Sequence, residues 1–490
     1  MSNPLKRLAG ETAIYGLGTI IPRLLNYLLV PFYTYLVFNQ TEYGQITELY
    51  SYVAFLVVFL TFGLETAYFR YANNSKNPQK VFNTGVQFII FISIAFVVLT
   101  AMFLDSIAAK MGYADHPEYI MMLVLIVALD AVAALPFAWL RFHRKAKIFS
   151  SIRVASVVIN ITSNILLLVV FPKFLGHETV HYFPWYLTSN VGLVFVSNLI
   201  ASLATFLMII PVFKEFKFSI DLELLKKLLV YSLPILVIGL AGMINEVADK
   251  ILMKHLLPDP ATAESQLGIY GANYKLAILM MIFIQMFRYA FEPFFFAEEK
   301  NKDSKLTYAQ IMNWFVAFTW LIFLGVTLYI DLFKYFVGPK FRDGLVIVPI
   351  ILAAKLFLGV FYNLSVWYKL TNKTLYGAII AILGATITIA LNVILIPRYG
   401  YIGAAWANFA CYLSMVIVSF IWGRKIFPVP YNLKKIIAYS LVALAAYFVS
   451  VYLPIGNEVL KISANTVLIL VFVSFVLLTE KRKWFSQTLS

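Results

Sequence analysis

Apolar runs of about twenty residues recur along this chain from one end to the other, and nothing constrains its fold more. They fall at 12–37, 46–69, 82–104, 118–140, 150–171, 187–212, 229–256, 269–296, 308–330, 345–368, 375–396, 401–423, 433–454 and 460–479 of 490 residues. Each is long enough to cross hydrocarbon as an α-helix, where every backbone N–H and C=O must be satisfied within the segment. A membrane β-barrel needs shorter segments that alternate apolar and polar residues, and runs such as 88–98 and 467–478 do not alternate. The expectation is an all-α polytopic membrane protein with fourteen transmembrane helices. With 61% hydrophobic and 13% charged residues, the chain is neither a soluble globule nor disordered.

The hydrophilic stretches that remain, chiefly 213–227 and 298–308, are too short for a soluble domain. Catalytic machinery has nowhere to sit, so neither an enzyme nor a cofactor is expected. The segment 214–227 reads as an amphipathic surface piece and a hinge. It divides an N-terminal half, 1–214 with helices 1–6, from a second half, 215–430 with helices 7–12. The stretch 431–490 adds helices 13 and 14 and a tail. At an offset of 227 residues, Arg23 falls on Lys250, Pro31 on Pro258, Tyr43-Gly44 on Tyr270-Gly271 and Glu65 on Glu292. Duplicated halves in transporters place a substrate site between them. Pro22, Pro31, Pro136, Pro234, Pro293 and Pro349 stand inside spans, where they bend helices and favour a cavity.

A net charge of +15 from 39 Lys+Arg against 24 Asp+Glu invites a nucleic-acid reading, but the distribution opposes it. With the N-terminus cytoplasmic, about 26 of the 39 basic residues fall in cytoplasmic segments, the positive-inside asymmetry of a membrane protein. Both termini are then cytoplasmic. The cluster Arg141, Arg144, Lys145, Lys147 and Arg153 is expected against anionic headgroups. The single Cys411 lies in a span and forms no intrachain disulfide. The first helix, with Pro22 and Arg23 and no small-residue cleavage site, reads as retained rather than as a signal peptide.

Six cations, Arg23, Lys250, Lys254, Lys275, Arg288 and Lys355, lie within otherwise lipid-compatible spans. Facing lipid, each would cost roughly 2.5–3.5 kcal/mol, so they are expected to line a wet or anion-binding interior. Arg23, Lys250, Lys275, Arg288 and Lys355 are the candidate substrate contacts. Lys254, near a helix end, reads as a snorkelling side chain. Glu65, Asp130, Glu246, Asp249 and Glu292 are the candidates for balancing this charge or binding a coupling ion. Glu246 with Lys250, and Arg288 with Glu292, are spaced i,i+4 and can also pair locally, so both uses stay open. Asn160, Asn164, Asn190, Asn198, Asn245, Asn363 and Asn392 suit interhelical hydrogen bonds more readily than sugar hydroxyls. The string His177-Glu178-Thr179-Val180-His181 matches a zinc-peptidase pattern. In a short loop it lacks a helix, a third ligand and a cleft, so no metal site is expected. No P-loop is present, and ATP-driven pumping is not encoded.

Several strings occur in a telling order: Tyr43-Gly44, Gly63-Leu64-Glu65 with Arg70, Leu135-Pro136-Phe137-Ala138-Trp139-Leu140-Arg141, Tyr231-Ser232-Leu233-Pro234, Asp249-Lys250, Gly268-Ile269-Tyr270-Gly271 and Gly400-Tyr401-Ile402-Gly403-Ala404-Ala405-Trp406-Ala407. With fourteen helices, the chain resembles the polysaccharide-transporter branch of the MATE-like MOP flippase superfamily, which contains the Wzx-type O-antigen and capsule flippases. The resemblance implies two six-helix, MATE-like lobes around a central cationic cavity, in the bacterial inner (plasma) membrane. It implies translocation of undecaprenyl-pyrophosphate-linked oligosaccharide from the cytoplasmic to the periplasmic leaflet; the working expectation is alternating access, with H+ or Na+ as candidate coupling ions and a glycan polymerase and glycosyltransferases as candidate partners. Asp249-Lys250 stands where many relatives have Asp-Arg, which keeps the charge and loses a bidentate phosphate fork. The rival expectation is a proton- or sodium-coupled exporter of small organic molecules, whose cavity should be acidic. A third is an envelope-assembly enzyme or scaffold built around His177.

Overall fold

The computed structural model describes residues 4–174, 190–298, 301, 303–453 and 455–487, and describes no side chain in 4–14 or 481–487, nor at 215, 290, 292, 293, 296 and 297. Among these residues the structure is helical throughout, without a strand. Thirteen runs are long and apolar enough to cross a membrane: α1 (Tyr15–Val37), α2 (Gln40–Asn73), α3 (Pro78–Met102), α4 (Pro117–Phe142), α5 (Ala146–Phe174), α6 (Asn190–Lys214), α7 (Leu222–Leu256), α8 (Pro260–Tyr289), α9 (Ser304–Leu328), α10 (Pro339–Leu370), α11 (Thr374–Ile426), α12 (Leu433–Tyr452) and α13 (Glu458–Glu480). The protein is a multi-pass membrane protein.

At 53 residues, α11 would extend about 80 Å if straight, more than twice the depth of a bilayer's hydrocarbon. It is two antiparallel arms. Pro397 lacks an N–H to continue the ladder, and Gly400 turns the chain at φ 56°, ψ −138°, a region essentially closed to residues with a Cβ. The second arm starts capped, its Tyr401 N–H donating to Gln266 Oε1 of α8 at 3.1 Å. Cys411 Sγ then approaches the Gly384 carbonyl at 3.4 Å, locking arm to arm. Counting the two arms separately gives fourteen crossings among the described residues, as the hydropathy pattern predicts.

Three boundaries differ from the sequence reading. α7 opens at Leu222, so only 214–221 of the amphipathic segment lies outside it. α8 opens at Pro260 rather than 269, because Asp259 caps it by accepting from Thr262 N–H at 2.9 Å, a signal that outweighs the polar run after it. Pro349, expected inside a span, stands in the first turn of the helix Val348–Leu364, where a missing N–H costs nothing.

The chain divides into two compact units, Met1–Ile251 and Leu252–Ser490, the division falling within α7. In the first, α4 is central and packs on α2, α3, α5 and α6, while α1 packs on α5. In the second, α10 packs on α9 and α11, with Phe361, Trp367, Ile380, Tyr412 and Met415 in a shared core. Helices α12 and α13 dock on α9. Lipid is as apolar as leucine, so polar contacts hold them there: Trp320 Nε1 donates to Ser440 Oγ at 2.9 Å, and Asn465 Nδ2 to the Leu328 carbonyl at 2.6 Å. Such bonds are worth roughly 0.6–2 kcal/mol each.

Candidate functional site

In the first unit a break in α2 begins the site. Phe62 and Gly63 are both left-handed, at φ 53° and 67°, which ends one helix at Thr61 and starts another at Leu64. For Phe62 that conformation costs about 1–2 kcal/mol, and a side chain on Gly63 would press on Ile235 and the Ser232 carbonyl. The break sets Glu65 in the first turn of the new helix, where a carboxylate suits the dipole.

Glu65 Oε1 receives Arg141 Nη2 at 2.5 Å. Asp130, Phe137 and Arg141 stand at i, i+7 and i+11, one stripe along α4. Arg153 of α5 meets that stripe, its guanidinium 4.0 Å from the Phe137 ring centre. Its field includes attraction from Asp130 and Glu65 and repulsion from Arg141 and Arg23. Asp130 accepts from Ser202 Oγ of α6 at 2.9 Å, and the same helix's Asn198 donates to Tyr50 OH at 2.8 Å. Five ionisable groups from α1, α2, α4 and α5 thus form one cluster: three cations, two acids, net +1 with all ionised. Arg23 and Arg153 are both exposed in this unit.

The candidate residues of α7 serve one another. Lys250 Nζ donates to the Glu246 backbone carbonyl at 2.7 Å and to Asp249 Oδ1 at 3.1 Å, with Asp249 1% and Lys250 8% exposed. Two partners of this lysine are thus a backbone carbonyl of its own helix and the adjacent acid. Lys254 does not snorkel. Its side chain is 7% exposed and pairs with Glu264 of α8 at 3.2 Å, because α8 begins early enough to bring an acid beside it.

In the second unit, Lys355 of α10 is fully buried, its ammonium 4.9 Å from the Tyr274 ring centre and 5.0 Å from that of Tyr412. Lys275 is exposed in the short turn Lys275–Ala277. Arg288 is exposed and lies 4.1 Å over Tyr362. The side chain of Glu292 and the string His177–His181 lie outside the described residues.

Asn160, Asn164 and Asn198 stitch helices. Tyr33 OH donates to Asn164 Oδ1 at 2.7 Å, and Asn160 Nδ2 donates to Asn26 Oδ1 at 3.3 Å, joining α1 to α5. Asn392 Nδ2 binds its own helix at the Thr388 carbonyl, 2.7 Å away. Asn363 Nδ2 is buried and has no hydrogen-bond partner among the described residues. Asn245 is buried, and Asn190 is exposed at the start of α6.

Sequence reasoning had set Arg141 and Arg153 at the headgroups and had not singled out Ser202 or Tyr50. The signal that could have found Arg141 is its 11-residue spacing from Asp130 on α4, whereas Arg153, on α5, carries no such mark. A guanidinium in register with an intramembrane acid is better neutralised facing inward than left to lipid.

Against known proteins, the family model described as polysaccharide biosynthesis protein matches residues 8–297. No curated protein matches in sequence. Among solved structures, the lipid II flippase MurJ in an inward closed conformation is similar at TM-score 0.73 and 16% identity, over 94% of this chain and 98% of that one. An inward-facing multidrug resistance MATE transporter of the MOP superfamily is similar at TM-score 0.58 and 15% identity, over 83% and 97%. A MOP superfamily transporter from Pyrococcus furiosus Vc1 (DSM3638), described as having a binding pocket of reverse polarity suggesting a different function, is similar at TM-score 0.52 and 15% identity, over 85% and 95%. The fold is that of MOP-superfamily transporters and flippases. Since pocket polarity differs among them, cargo must be argued from the charged groups.

Proposed function

The chain belongs to the polysaccharide biosynthesis protein family, and from that premise we propose that it is a flippase for a polyprenyl-pyrophosphate-linked oligosaccharide. Two six-helix lobes, 1–214 and 215–430, alternate access to a cationic cavity. The glycan and pyrophosphate pass through it while the polyprenyl tail stays in lipid. The membrane is the bacterial inner membrane, with both termini cytoplasmic.

The observation that carries this reading is the arginine-rich cluster of the first unit, where Arg23, Arg141 and Arg153 outnumber Glu65 and Asp130. Guanidinium groups match pyrophosphate oxygens in a planar, bidentate way that ammonium groups do not. In this scheme Glu65 holds Arg141, and Asp130 draws on Arg153 until the anion arrives. Arg23 is the first cation to meet it. Lys275, Arg288 and Lys355 supply positive potential from the second half, while Asp249 balances Lys250 within α7 and Glu246 adds one negative charge there. Glu292 is assigned the balancing role for Arg288. Coupling to H+ or Na+ through one of the acids is part of the proposal. With the interior negative, each negative charge carried outward gains about 2.3 kcal/mol per 100 mV.

The test is surface glycan in a deletion strain complemented with Arg23→Ala or Arg153→Ala, membrane levels being matched by immunoblot. Either variant is expected to lower surface glycan at least about tenfold, the loss of one charge-assisted contact. Wild-type levels in both would remove the cationic-cavity mechanism. A drug-resistance phenotype in the deletion strain, with glycan unaffected, would instead support the small-molecule exporter.

A further inference from the structure

The first unit carries a groove that its arginine cluster does not use. Helices α3 and α6 both pack on α4, and the space they leave between them is a groove of about 460 Å³, within the size range of small-molecule sites. Leu125, Leu129 and Val132 of α4, at i, i+4 and i+7, form its floor, and Phe206, Ile210 and Phe213 repeat that spacing on α6 as one wall. The stretch 90–98 of α3 is the other wall, with Ile94 and Val98 exposed at the rim. On α4 the floor lies on the face opposite the stripe of Asp130, Phe137 and Arg141. Ser93 is the one polar side chain of the lining and is buried. Water needs two or more polar partners to settle in such a space, so in a bilayer the groove is filled by hydrocarbon.

One end of the groove is charged. The last turn of α6 tightens into a 3₁₀ turn, Ile210–Glu215, and the Phe213 ring rests 6.2 Å from that of Phe82 of α3 and 5.7 Å from that of Phe216. Gln87 Nε2 then donates to the Lys217 carbonyl at 2.9 Å, which holds Lys217 on α3 just under one turn before Ile90 of the groove wall. Lys214 and Lys217 are both exposed, as is Phe218, the mixture of basic and aromatic side chains that suits a membrane interface. Lys80 pairs with Asp221 at 2.5 Å. Four cations, Lys76, Lys80, Lys214 and Lys217, less two acids, Glu215 and Asp221, leave a net +2 at this end. It is the side assigned above to the cytoplasm, whose leaflet carries anionic lipid. A neutral chain would engage the groove alone, and a soluble anion the lysines alone. A molecule with an acyl chain and an anionic head engages both.

We propose that the groove between α3, α4 and α6 is a binding site for one anionic phospholipid of the cytoplasmic leaflet, its acyl chain along Leu125, Leu129 and Phe206 and its phosphate against Lys214 and Lys217. The site does not depend on what the protein transports.

Native mass spectrometry of the full-length protein in detergent, titrated with phosphatidylglycerol or with phosphatidylcholine of the same acyl chains, tests it. An interfacial lysine is worth about fivefold in affinity for an anionic headgroup, so the first phosphatidylglycerol is expected to bind about 25-fold tighter than the first phosphatidylcholine. Replacing both lysines, Lys214→Gln with Lys217→Gln, is expected to bring the two lipids within about twofold of each other, and Lys214→Arg with Lys217→Arg to keep the preference. Ala128→Phe, which fills the groove, is expected to weaken both lipids about tenfold, the loss of about two buried CH₂ groups, with the preference kept. Equal affinities for the two lipids in wild type overturn the site. So does a preference that survives the double glutamine variant, or binding that Ala128→Phe leaves unchanged. The lysine variants alter exposed side chains only, so the headgroup half of the test stands even where Ala128→Phe fails to fold. A polyprenyl phosphate that displaces phosphatidylglycerol at equal concentration overturns the phospholipid assignment, because the groove would then seat an isoprenoid chain.

Discussion

Lys355 has no surface in contact with solvent and is flanked by Tyr274 and Tyr412. A desolvated ammonium over an aromatic face gains about 2 kcal/mol, and in the proposed mechanism this lysine supplies positive potential to the cavity. Lys355→Met preserves length and apolar bulk while removing the charge, so the unfolding midpoint in detergent is expected to hold or rise. Glycan translocation is expected to fall about tenfold, as for loss of one charge-assisted contact. A variant that translocates normally would assign this lysine to packing alone. The contrast with Lys254 is instructive. Both were visible in the sequence as intramembrane cations, but the acid beside Lys254, Glu264, sits in a stretch whose polarity resembles a loop. Pairing across two helices leaves no periodicity to read.

Among the elements, the two arms of α11 show how a helix break is built. Pro397 and Gly400 are legible punctuation, and the gap between the two apolar runs, 375–396 and 401–423, follows from them. What the sequence does not display is that Gln266, 134 positions before Gly400 in the chain, receives the freed N–H of Tyr401. A Cβ on Gly400 would collide with Gln266 Oε1 and force a glycine-only φ/ψ. Gly400→Ala is therefore expected to destabilise by at least about 1–3 kcal/mol, seen as a lower unfolding midpoint, with Gln266→Ala removing part of that penalty by vacating the space. Equal midpoints for wild type and Gly400→Ala would mean that the turn is not strained. The break at Phe62–Gly63 works similarly, but only Gly63 announces it. The left-handed Phe62 carries no such mark in the sequence.

For the whole molecule, electrostatics outside the membrane-spanning segments ties the last helix down. Asp331, between α9 and α10, accepts from Lys461 of α13 at 2.7 Å and from Lys334 at 3.1 Å. The hydrogen bond from Lys461, more than that from Lys334, holds its carboxyl below the ordinary aspartate range. A depressed acid contributes stability that is present above the unfolded value, near 3.9, and lost as pH falls through the folded one. The unfolding midpoint is therefore expected to drop below about pH 4 in wild type. Asp331→Asn should flatten that part of the profile and lower the neutral-pH plateau. An unchanged profile in the variant would show that other carboxylates govern the acid limb.

Fold class, the number of crossings, the family and the identity of most charged candidates follow from the sequence alone, because backbone hydrogen bonding in hydrocarbon admits only long apolar helices and leaves intramembrane charges conspicuous. Tertiary structure alone decided which charges share a space: Arg141 and Arg153 with Glu65 and Asp130, Lys254 with Glu264, and Arg288 with Tyr362. A Coulomb partner is chosen by distances of a few ångströms between side chains on different helices, and packing sets those distances without leaving a mark in the hydropathy of either helix.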